Sequence, residues 1–452
     1  MSRKKLSLST TQIVLLSFLI AIALGSGLLS LPVSAADGQP VAYIDALFTA
    51  TTATCVTGLV TVPTFSAWST FGHVVILLLI QIGGLGIVTV MSGVMMLLNR
   101  KMGIGDRLLI QDAFNLNTMS GLANFVRNVL AGTLVVELLG AVLYMTVFVP
   151  EFGPRGIWIS VFNAVSAFCN AGIDIIGPNS LCNYATDPVI NLTTSLLVVL
   201  GGLGYIVWWD VLRVLQTRSR KNRKFFRHLT LHSKIAITAT LILLFAGTAI
   251  IFLTEYHNPQ TIGNLSLFDK LQVALFQSVT TRTAGFASIP QENLSNAGAL
   301  SSLMLMVIGG SPVGTAGGIK TVTVVTLFCS ALATIQGKKY ASLFHRTVSV
   351  ASIRKAVAVV CAFTAIMLTS TLLLAACTDA PMLDILYETI SATATVGLSR
   401  NLTGSLNLMG KLIIIVTMYF GRVGPISLAV ALGSRGESQN VVSDPPEEIC
   451  IG

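Results

Sequence analysis

Four short polar stretches, each ending in a glycine and a bulky apolar residue, recur along the 452-residue chain at nearly constant spacing. Their glycines are separated by 114, 113 and 112 residues, and apolar segments of membrane length lie on both sides of each stretch. Self-similarity at a fixed period indicates an internal structural repeat. We call these stretches the first to fourth glycine loops: Thr54–Leu59, Phe168–Ile173, Thr281–Phe286 and Thr393–Leu398.

The composition is that of an integral membrane protein. Hydrophobic residues make up 53% of the chain and charged residues 10%, whereas roughly 25% of the residues in a soluble domain are charged. A spanning helix needs about 20 apolar residues, and eight such segments are present, two in each repeat. The predicted spans are Thr11–Leu31, His73–Leu98, Val129–Val149, Leu192–Val214, Ile235–Leu253, Leu300–Leu332, Ala356–Ala376 and Leu412–Leu432.

A shorter semi-apolar segment lies between the two spans of each repeat, and its length of about 10–14 residues is insufficient to cross a bilayer. Each segment predicts a half-helix that enters the membrane and stops at its glycine loop. Irregular backbone at that depth is tolerated only where it is buried in protein or lines water. The predicted fold is therefore an all-α integral membrane protein with four helix–pore loop–helix repeats around a pseudo-fourfold central pore. The half-helices are Ile44–Ala53, Trp158–Ala167, Phe268–Thr280 and Met382–Ala392.

The basic residues predict how the chain is oriented. The N-terminus and the three connections between repeats hold 20 of the 28 Lys and Arg residues, and the positive-inside rule places all four regions in the cytoplasm. The four glycine loops then lie on the outer side. The predicted repeats are residues 1–98, 99–217, 218–336 and 337–433, followed by a cytoplasmic tail, 434–452.

Ten carboxylates fall on the predicted outer side, where they would form an acidic rim that concentrates cations. Acidic residues are also simply tolerated outside a membrane, and the sequence does not favour one interpretation over the other. The ten are Asp37, Asp45, Glu151, Asp174, Asp187, Asp269, Glu292, Asp379, Asp384 and Glu388.

Other classes of function receive no support from the sequence. The seven cysteines lack the paired spacing of a zinc site, and the five histidines lie at span ends or in loops without a catalytic partner set. Gly314–Thr321 is similar to a phosphate-binding loop, but Ile319 separates its glycine from the lysine. The net charge of +9 comes from the cytoplasmic loops, so nucleic acid is not a predicted partner. We predict no enzyme, and a Cys182–Cys377 pair is left open.

The glycine loops suit the binding of a dehydrated cation. A potassium ion in a narrow pore loses water, and carbonyl oxygens aimed inward can replace it. Glycine adopts the backbone conformations that this requires at low steric cost, although small residues can also serve only close helix packing. The predicted potassium-binding residues are Thr54, Cys55, Val56, Thr57, Gly58, Cys169, Asn170, Ala171, Gly172, Thr281, Arg282, Thr283, Ala284, Gly285, Ala394, Thr395, Val396 and Gly397.

Two further features lie below the predicted filter. The sixth predicted span, Leu300–Leu332, contains Gly309–Gly318, a poor helix because each interior glycine costs about 1 kcal/mol and a proline about 3 kcal/mol. Arg422 lies near the middle of the last span, where an arginine costs about 2.5–3.5 kcal/mol on insertion scales and usually faces a cavity or a partner. The alternative for Gly309–Gly318 is a kink that serves only packing. The alternative for Arg422 is a contact at a helix end or between helices. Glu137 is another intramembrane charge, whose partner the sequence does not identify.

The chain resembles the Trk/Ktr/HKT superfamily of potassium transporters over essentially its whole length. The resemblance lies in the four repeats, the four glycines, the Thr281–Phe286 stretch and the glycine-rich sixth span. The first span leads directly to the first pore loop, as in the Ktr branch (KtrB type). The resemblance implies a gate in Gly309–Lys320, which we call the intramembrane loop, and in Arg422, whereas Arg282 is expected to turn away from the axis. The implied gate residues are Gly309, Gly310, Ser311, Gly314, Thr315, Ala316, Gly317, Gly318, Lys320 and Arg422.

The same resemblance implies a function and partners. Glycine at position 58 implies potassium as the transported ion. The resemblance also implies uptake through the bacterial inner (plasma) membrane by a membrane homodimer with a cytoplasmic KtrA-type nucleotide-binding ring. The N-terminus is expected in the cytoplasm. No cofactor is expected in this chain, and sodium as an activator is left open, together with the nucleotide and the degree of selectivity. The alternative is a sodium- or proton-coupled secondary cation transporter. Inverted repeats of that class would put successive loops on opposite sides.

Overall fold

The computed structural model describes residues 10–98, 103, 122–217 and 225–424, and the predicted basic N-terminus and tail lie outside them. Within these ranges the chain forms sixteen α-helices and one antiparallel hairpin, which confirms the all-α class. The helices are α1 (Thr10–Leu29), α2 (Tyr43–Cys55), α3 (Thr64–Ala67), α4 (Thr70–Leu85), α5 (Ile87–Leu97), α6 (Leu122–Phe152), α7 (Arg155–Cys169), α8 (Pro188–Leu203), α9 (Tyr205–Thr217), α10 (Leu231–Glu255), α11 (Leu267–Thr280), α12 (Asn296–Val307), α13 (Thr321–Ile335), α14 (Val350–Ala375), α15 (Met382–Ala394) and α16 (Leu408–Val423). The strands are β1 (Ser342–Leu343) and β2 (Arg346–Thr347).

The helices recur in the order long helix, short helix, interrupted helix. The long helices α1, α6, α10 and α14 are, among the described residues, the four that can each cross a membrane alone by length and composition. Their outer faces carry large apolar side chains, such as Leu134, Leu253 and Leu372, which are 66%, 73% and 72% exposed. Lipid tails, which are as apolar as leucine, are the surroundings that such faces require.

The second predicted span is sharply bent in the first two repeats, which the hydropathy pattern did not indicate, whereas the break in the third repeat falls at the expected interruption, Gly309–Gly318. Helices α4 and α5 meet at Gly86 with a bend of 100°, and α8 and α9 meet at Gly204 with a bend of 94°. Both glycines have positive φ, 82° and 86°, which glycine adopts without the steric penalty of a Cβ atom. With each bent pair counted once, the described residues contain six candidate spans. A hydropathy window averages composition and does not detect such breaks.

The breaks fall at matching places in the repeats. Gly83–Gly86 and Gly201–Gly204 have the same pattern of glycines, and Gly421–Gly424 repeats it with an arginine in the second position. Helix α16 ends within this last segment, before Gly424 with φ of 92°. In the third repeat, the intramembrane loop separates α12 from α13. Arg422 therefore takes the place that a glycine holds in the first two repeats.

Contacts between the first and fourth repeats close the four groups of helices into a ring. Lys411 on α16 forms an ion pair of 2.6 Å with Asp45 on α2. The Tyr419 hydroxyl donates to the Leu15 carbonyl of α1 at 2.9 Å. Phe18 of α1 is buried in an apolar cluster that also contains Tyr419. Helix α1 is thus built into the fold, as expected of a membrane span.

A buried carboxylate, Glu255, joins the end of α10 to the start of α12. Its Oε1 atom accepts from the amide and the hydroxyl of Ser295 at 3.1 and 2.6 Å. Its Oε2 atom accepts from Asn258 Nδ2 at 2.7 Å and from the Thr261 hydroxyl at 2.8 Å. The side chain is completely buried. Each donor that loses its acceptor in such a site costs about 1–3 kcal/mol.

We expect Glu255→Ala to lower the melting temperature of the detergent-solubilised protein by several degrees, because four donors lose their acceptor. A thermal melt followed by size-exclusion chromatography measures this shift. Glu151→Ala is the matched control, since Glu151 is exposed and accepts one hydrogen bond, from Tyr184 at 2.7 Å. Equal shifts in the two variants would show that burial of Glu255 contributes nothing.

Candidate ion pathway

Each of the four short helices, α2, α7, α11 and α15, ends at a glycine loop. In three of them the residue after the helix is left-handed and its amide bonds back to the last turn: Val56, Asn170 and Thr395. Helix α11 is followed by Thr281 in the right-handed region, and its loop becomes left-handed at Thr283. The carbonyl ends of the four helices therefore converge on one region, where their dipoles favour a cation.

All four glycine loops have the same backbone pattern. The glycine has φ between 64° and 103°, and the residue two positions before it has φ between 51° and 69°. Three of these preceding residues are β-branched, for which positive φ is a genuine outlier, and the left-handed region costs roughly 1–2 kcal/mol for any residue with a side chain. The four pairs are Val56 with Gly58, Asn170 with Gly172, Thr283 with Gly285, and Thr395 with Gly397.

The four glycines surround one axis. A Cβ atom added to any of them would meet the carbonyl oxygen of the residue that precedes the glycine of the next loop, at 2.5–2.6 Å for the first three. The contacts run from the first loop to the second, third and fourth, and back to the first. Such a closed cycle brings the four loops together around one axis, with a carbonyl of each loop beside the glycine of its neighbour. The contacts are Gly58 with Ala171, Gly172 with Ala284, Gly285 with Val396, and Gly397 with Thr57.

Hydroxyl groups at the ends of the short helices support the loops, and the sequence analysis missed them. Thr52, Ser166 and Ser391 each lie six residues before a glycine. The Thr52 and Ser391 hydroxyls accept from the amides of Gly58 and Gly397 at 2.9 and 3.0 Å. Ser166 instead donates to the Ile173 carbonyl at 2.6 Å, and Thr280 donates to Phe286 in the third loop. A hydroxyl six residues before three of the four glycines was the available signal.

The intramembrane loop lies against the break between α8 and α9. The amides of Ser311 and Thr315 donate to the carbonyls of Gly202 and Gly201 at 2.8 and 3.1 Å, and the Tyr205 amide donates to Val313 at 3.0 Å. The two ends of the loop also bond to each other, since the Gly309 amide donates to the Ile319 carbonyl at 3.0 Å. The loop is thus an ordered element held by backbone hydrogen bonds rather than a kink in a helix.

Three cationic side chains hold carbonyls of this loop. Arg422 donates through Nη1 to the Thr315 carbonyl at 2.6 Å and through Nη2 to the Gly83 carbonyl at 2.5 Å. Lys320 donates to the Ala316 carbonyl at 2.6 Å. Arg282, which is only 7% exposed, donates to the Gly309 carbonyl at 3.1 Å.

The two arginines connect the intramembrane loop to different parts of the fold. Arg422 connects the intramembrane loop to the break after α4. Arg282 connects the loop to the third glycine loop. Arg282 and Arg422 both donate to carbonyls of the intramembrane loop, which carry no formal charge.

The other predicted filter and gate residues are assembled around this centre. The predicted potassium-binding residues are buried, except for Gly397, which is half-buried. Gly309, Gly310, Ser311, Thr315, Ala316 and Gly317 are buried as well, whereas Gly314, Gly318, Lys320 and Arg422 are half-buried. The close packing leaves little room at Gly310, where an added Cβ would lie 2.6 Å from the Ala316 side chain. Side chains larger than glycine would displace the loop.

Several of the ten carboxylates considered for an acidic rim bind groups within the protein. Asp45 is paired with Lys411, and Asp384 is paired with Arg400 at 2.7 Å. Glu388 is completely buried in α15 and accepts from the hydroxyls of Ser399 and Thr403 at 2.7 and 2.5 Å. Asp187 and Asp269 accept hydrogen bonds at the starts of α8 and α11. The partner of Asp45 is distant in sequence and leaves no local signal, whereas Asp187 and Asp269 bind residues two or three positions away.

Arg400 is a further residue that the sequence analysis did not identify. Beside its ion pair with Asp384, it donates to the carbonyls of Gln291 and Glu292 at 2.8 and 3.1 Å. It follows the fourth glycine loop in sequence and therefore joins that loop to the third repeat. Its partner carbonyls lie about a hundred residues away in the chain, so spacing alone carries no signal for it.

Two questions left open by the sequence receive answers. Glu137 accepts a hydrogen bond from Gln81 Nε2 at 3.2 Å, and the Cys169 thiol lies 3.9 Å from its other oxygen. Glu137 thus lies behind the second glycine loop. Cys182 and Cys377 are both free thiols and do not form a disulfide.

Comparisons with known proteins agree with this architecture. Residues 4–443 match the family model TrkH, described as cation transport protein. The chain is 38% identical to Ktr system potassium uptake protein B of Bacillus subtilis, covering 98% of this chain and 96% of that protein. It is 37% identical to potassium/sodium uptake protein NtpJ of Enterococcus hirae, covering 100% and 99% of the two chains.

A solved structure has the same fold. The crystal structure of the potassium transporter TrkH from Vibrio parahaemolyticus superimposes with a TM-score of 0.74 at 17% identity, covering 96% of this chain and 87% of that chain. The family match spans nearly the whole sequence, and two relatives that are potassium uptake proteins by name align over almost their full length. The chain therefore belongs to the TrkH family of cation transport proteins.

Proposed function

We propose that this chain takes up potassium through a central pore in the bacterial plasma membrane, with the four glycine loops as its selectivity filter. The observation that carries the proposal is the closed cycle in which each glycine faces the carbonyl preceding the glycine of the next loop. Carbonyls directed at one axis replace the hydration shell of a potassium ion. The predicted potassium-binding residues of the four loops would supply these oxygens, and the ion is a substrate rather than a cofactor.

The intramembrane loop and Arg422 are the proposed gate. The loop lies beneath the glycine ring and contacts the inner ends of the second and third glycine loops. The Arg422 guanidinium holds it from the fourth repeat. A loop fixed by backbone hydrogen bonds at both ends has a defined closed position, and release of these bonds would let it move aside. Ions would then pass down their electrochemical gradient.

The proposed regulation comes from outside this chain. The relative from Bacillus subtilis is named a component of a Ktr system, and we infer a membrane homodimer with a cytoplasmic KtrA-type nucleotide-binding ring. The basic residues between the repeats would face this partner in the cytoplasm. The name of the Enterococcus hirae relative includes sodium, which supports sodium as an activator or a second substrate. The proposed repeat boundaries remain residues 1–98, 99–217, 218–336 and 337–433.

Growth of an uptake-deficient bacterium on limiting potassium tests the proposal. We expect this chain, produced together with a Ktr-type regulatory subunit, to restore growth at potassium concentrations where the empty vector does not. Growth without the subunit should be weaker, since the gate would stay closed. The control for insertion is detection of the chain in isolated membranes. No rescue by a correctly inserted chain with its partner would refute potassium uptake.

A further inference from the structure

The intramembrane loop bonds directly to two of the four glycine loops. The Thr315 hydroxyl lies 3.0 Å from the Phe168 carbonyl and 3.1 Å from Asn170 Oδ1, both in the second glycine loop. The Gly317 amide donates to the Thr283 hydroxyl of the third glycine loop at 3.1 Å. All of these contacts are buried. The proposed gate therefore touches the proposed filter instead of merely lying below it.

The residues contacted are the strained ones. Asn170 and Thr283 have φ of 60° and 69°, a region that costs a residue with a side chain free energy and persists only where the surroundings enforce it. Their counterparts differ: Val56 in the first loop has no hydrogen-bonding side chain, and the Thr395 hydroxyl has no hydrogen-bond partner. The side chains of Asn170 and Thr283 are thus hydrogen-bonded to the intramembrane loop, whereas those of Val56 and Thr395 are not.

The Arg282–Gly309 bond adds a second connection at the other end of the loop. Arg282 lies directly before Thr283 and is 7% exposed, and its Nη2 atom donates to the first carbonyl of the intramembrane loop at 3.1 Å. Displacement of the loop would therefore break bonds to two consecutive residues of the third glycine loop. A hydroxyl carries one proton, so Thr315 donates to one acceptor of the second loop at a time.

We propose that the intramembrane loop determines ion selectivity as well as flux, with Thr315 as a specificity-determining residue outside the glycine loops. While the loop is in place, Thr315 and Gly317 hold Asn170 and Thr283 in the left-handed conformation that aligns the carbonyls of their loops. An opening that keeps these two bonds leaves the carbonyl ring aligned, whereas their loss lets the two strained residues relax and loosens the ring. This proposal rests on the proposed function, because it requires the glycine loops to be the filter.

The test compares Thr315→Val, which removes the hydroxyl at nearly constant volume, with Thr315→Ser, which retains it. Each full-length variant is reconstituted in phospholipid vesicles with the regulatory subunit, and potassium and sodium fluxes are measured separately. Potassium and sodium affinities are also measured by calorimetry on the purified protein. We expect Thr315→Val to raise the ratio of sodium to potassium flux about fivefold, the factor that one net hydrogen bond corresponds to. Thr315→Ser should keep the wild-type ratio.

The outcomes separate this proposal from the proposed function. A wild-type flux ratio and wild-type affinities in Thr315→Val would overturn the coupling and leave the pore and gate standing. An equal rise in Thr315→Val and Thr315→Ser would also overturn it, since the hydroxyl would then be irrelevant. Absence of potassium flux and binding in the wild-type protein would instead refute the proposed function. Thr315→Ala removes the same hydroxyl and serves where the valine variant does not insert.

Discussion

Serine at position 285 should reduce the preference for potassium over sodium at least about tenfold. Gly285 has φ of 86°, and a Cβ atom there would lie 2.5 Å from the Val396 carbonyl oxygen and 3.0 Å from Gly172 Cα. The substitution would force that carbonyl off the axis and add left-handed strain of roughly 1–2 kcal/mol. A change of about 1.4 kcal/mol in the discrimination between two ions is a factor of ten. Potassium and sodium fluxes into vesicles measure the ratio.

The matched control for Gly285→Ser is Gly38→Ser. Gly38 is also left-handed, with φ of 72°, but an added Cβ would meet nothing within 4 Å. Both variants therefore carry backbone strain, and only Gly285→Ser crowds the glycine ring. We expect Gly38→Ser to keep the wild-type flux ratio. Unchanged selectivity in Gly285→Ser, in protein that inserts normally, would refute the assignment of the glycine loops as the filter.

Alanine at position 422 should raise potassium flux in the absence of the regulatory subunit by at least about tenfold. The Arg422 guanidinium bonds the Thr315 carbonyl of the intramembrane loop and the Gly83 carbonyl of the first repeat. Its removal eliminates two charge-assisted hydrogen bonds, each worth about 1.5–3 kcal/mol, and a positive charge beneath the glycine ring. Both losses favour the open loop and the entry of a cation. Potassium efflux from loaded vesicles is the measurement.

Lysine at position 422 separates the two effects of the arginine. It retains the charge but not the planar fork that reaches two carbonyls at once. We expect Arg422→Lys to leak potassium less than Arg422→Ala and more than the wild type, because the charge remains while one connection is lost. Wild-type flux in Arg422→Ala would contradict a gate at this position. The closed state of the loop would then depend on its backbone bonds to Gly201 and Gly202.

The sequence predicts the parts of this protein that depend on local pattern. Apolar length identifies the four long helices and the four short ones, and the regular spacing of glycines identifies the loops that meet on the axis. These features follow from properties of neighbouring residues: apolar content, helix length and the conformational freedom of glycine. Arg282 and Arg422 are also predictable, since a cation inside an apolar segment requires a partner or a cavity.

The missed features depend on contacts between distant residues. The bends at Gly86 and Gly204 were not predicted, because a single left-handed glycine within an apolar segment leaves hydropathy unchanged. The ion pair of Asp45 with Lys411 joins residues from opposite ends of the chain, so nothing in either segment distinguishes a paired carboxylate from a free one. The same holds for Arg400, whose carbonyl partners lie in another repeat.

Lys411 and Tyr419 close the ring of four repeats within a single chain, so the four repeats can differ in sequence from one another. In an assembly of four identical subunits, every substitution appears four times around the axis, and a loop reaching the centre would collide with three copies of itself. A single chain is free of that constraint. It has one intramembrane loop in the third repeat, the surface that this loop packs against in the second and one arginine in the fourth, and mutations can alter each repeat without changing the others.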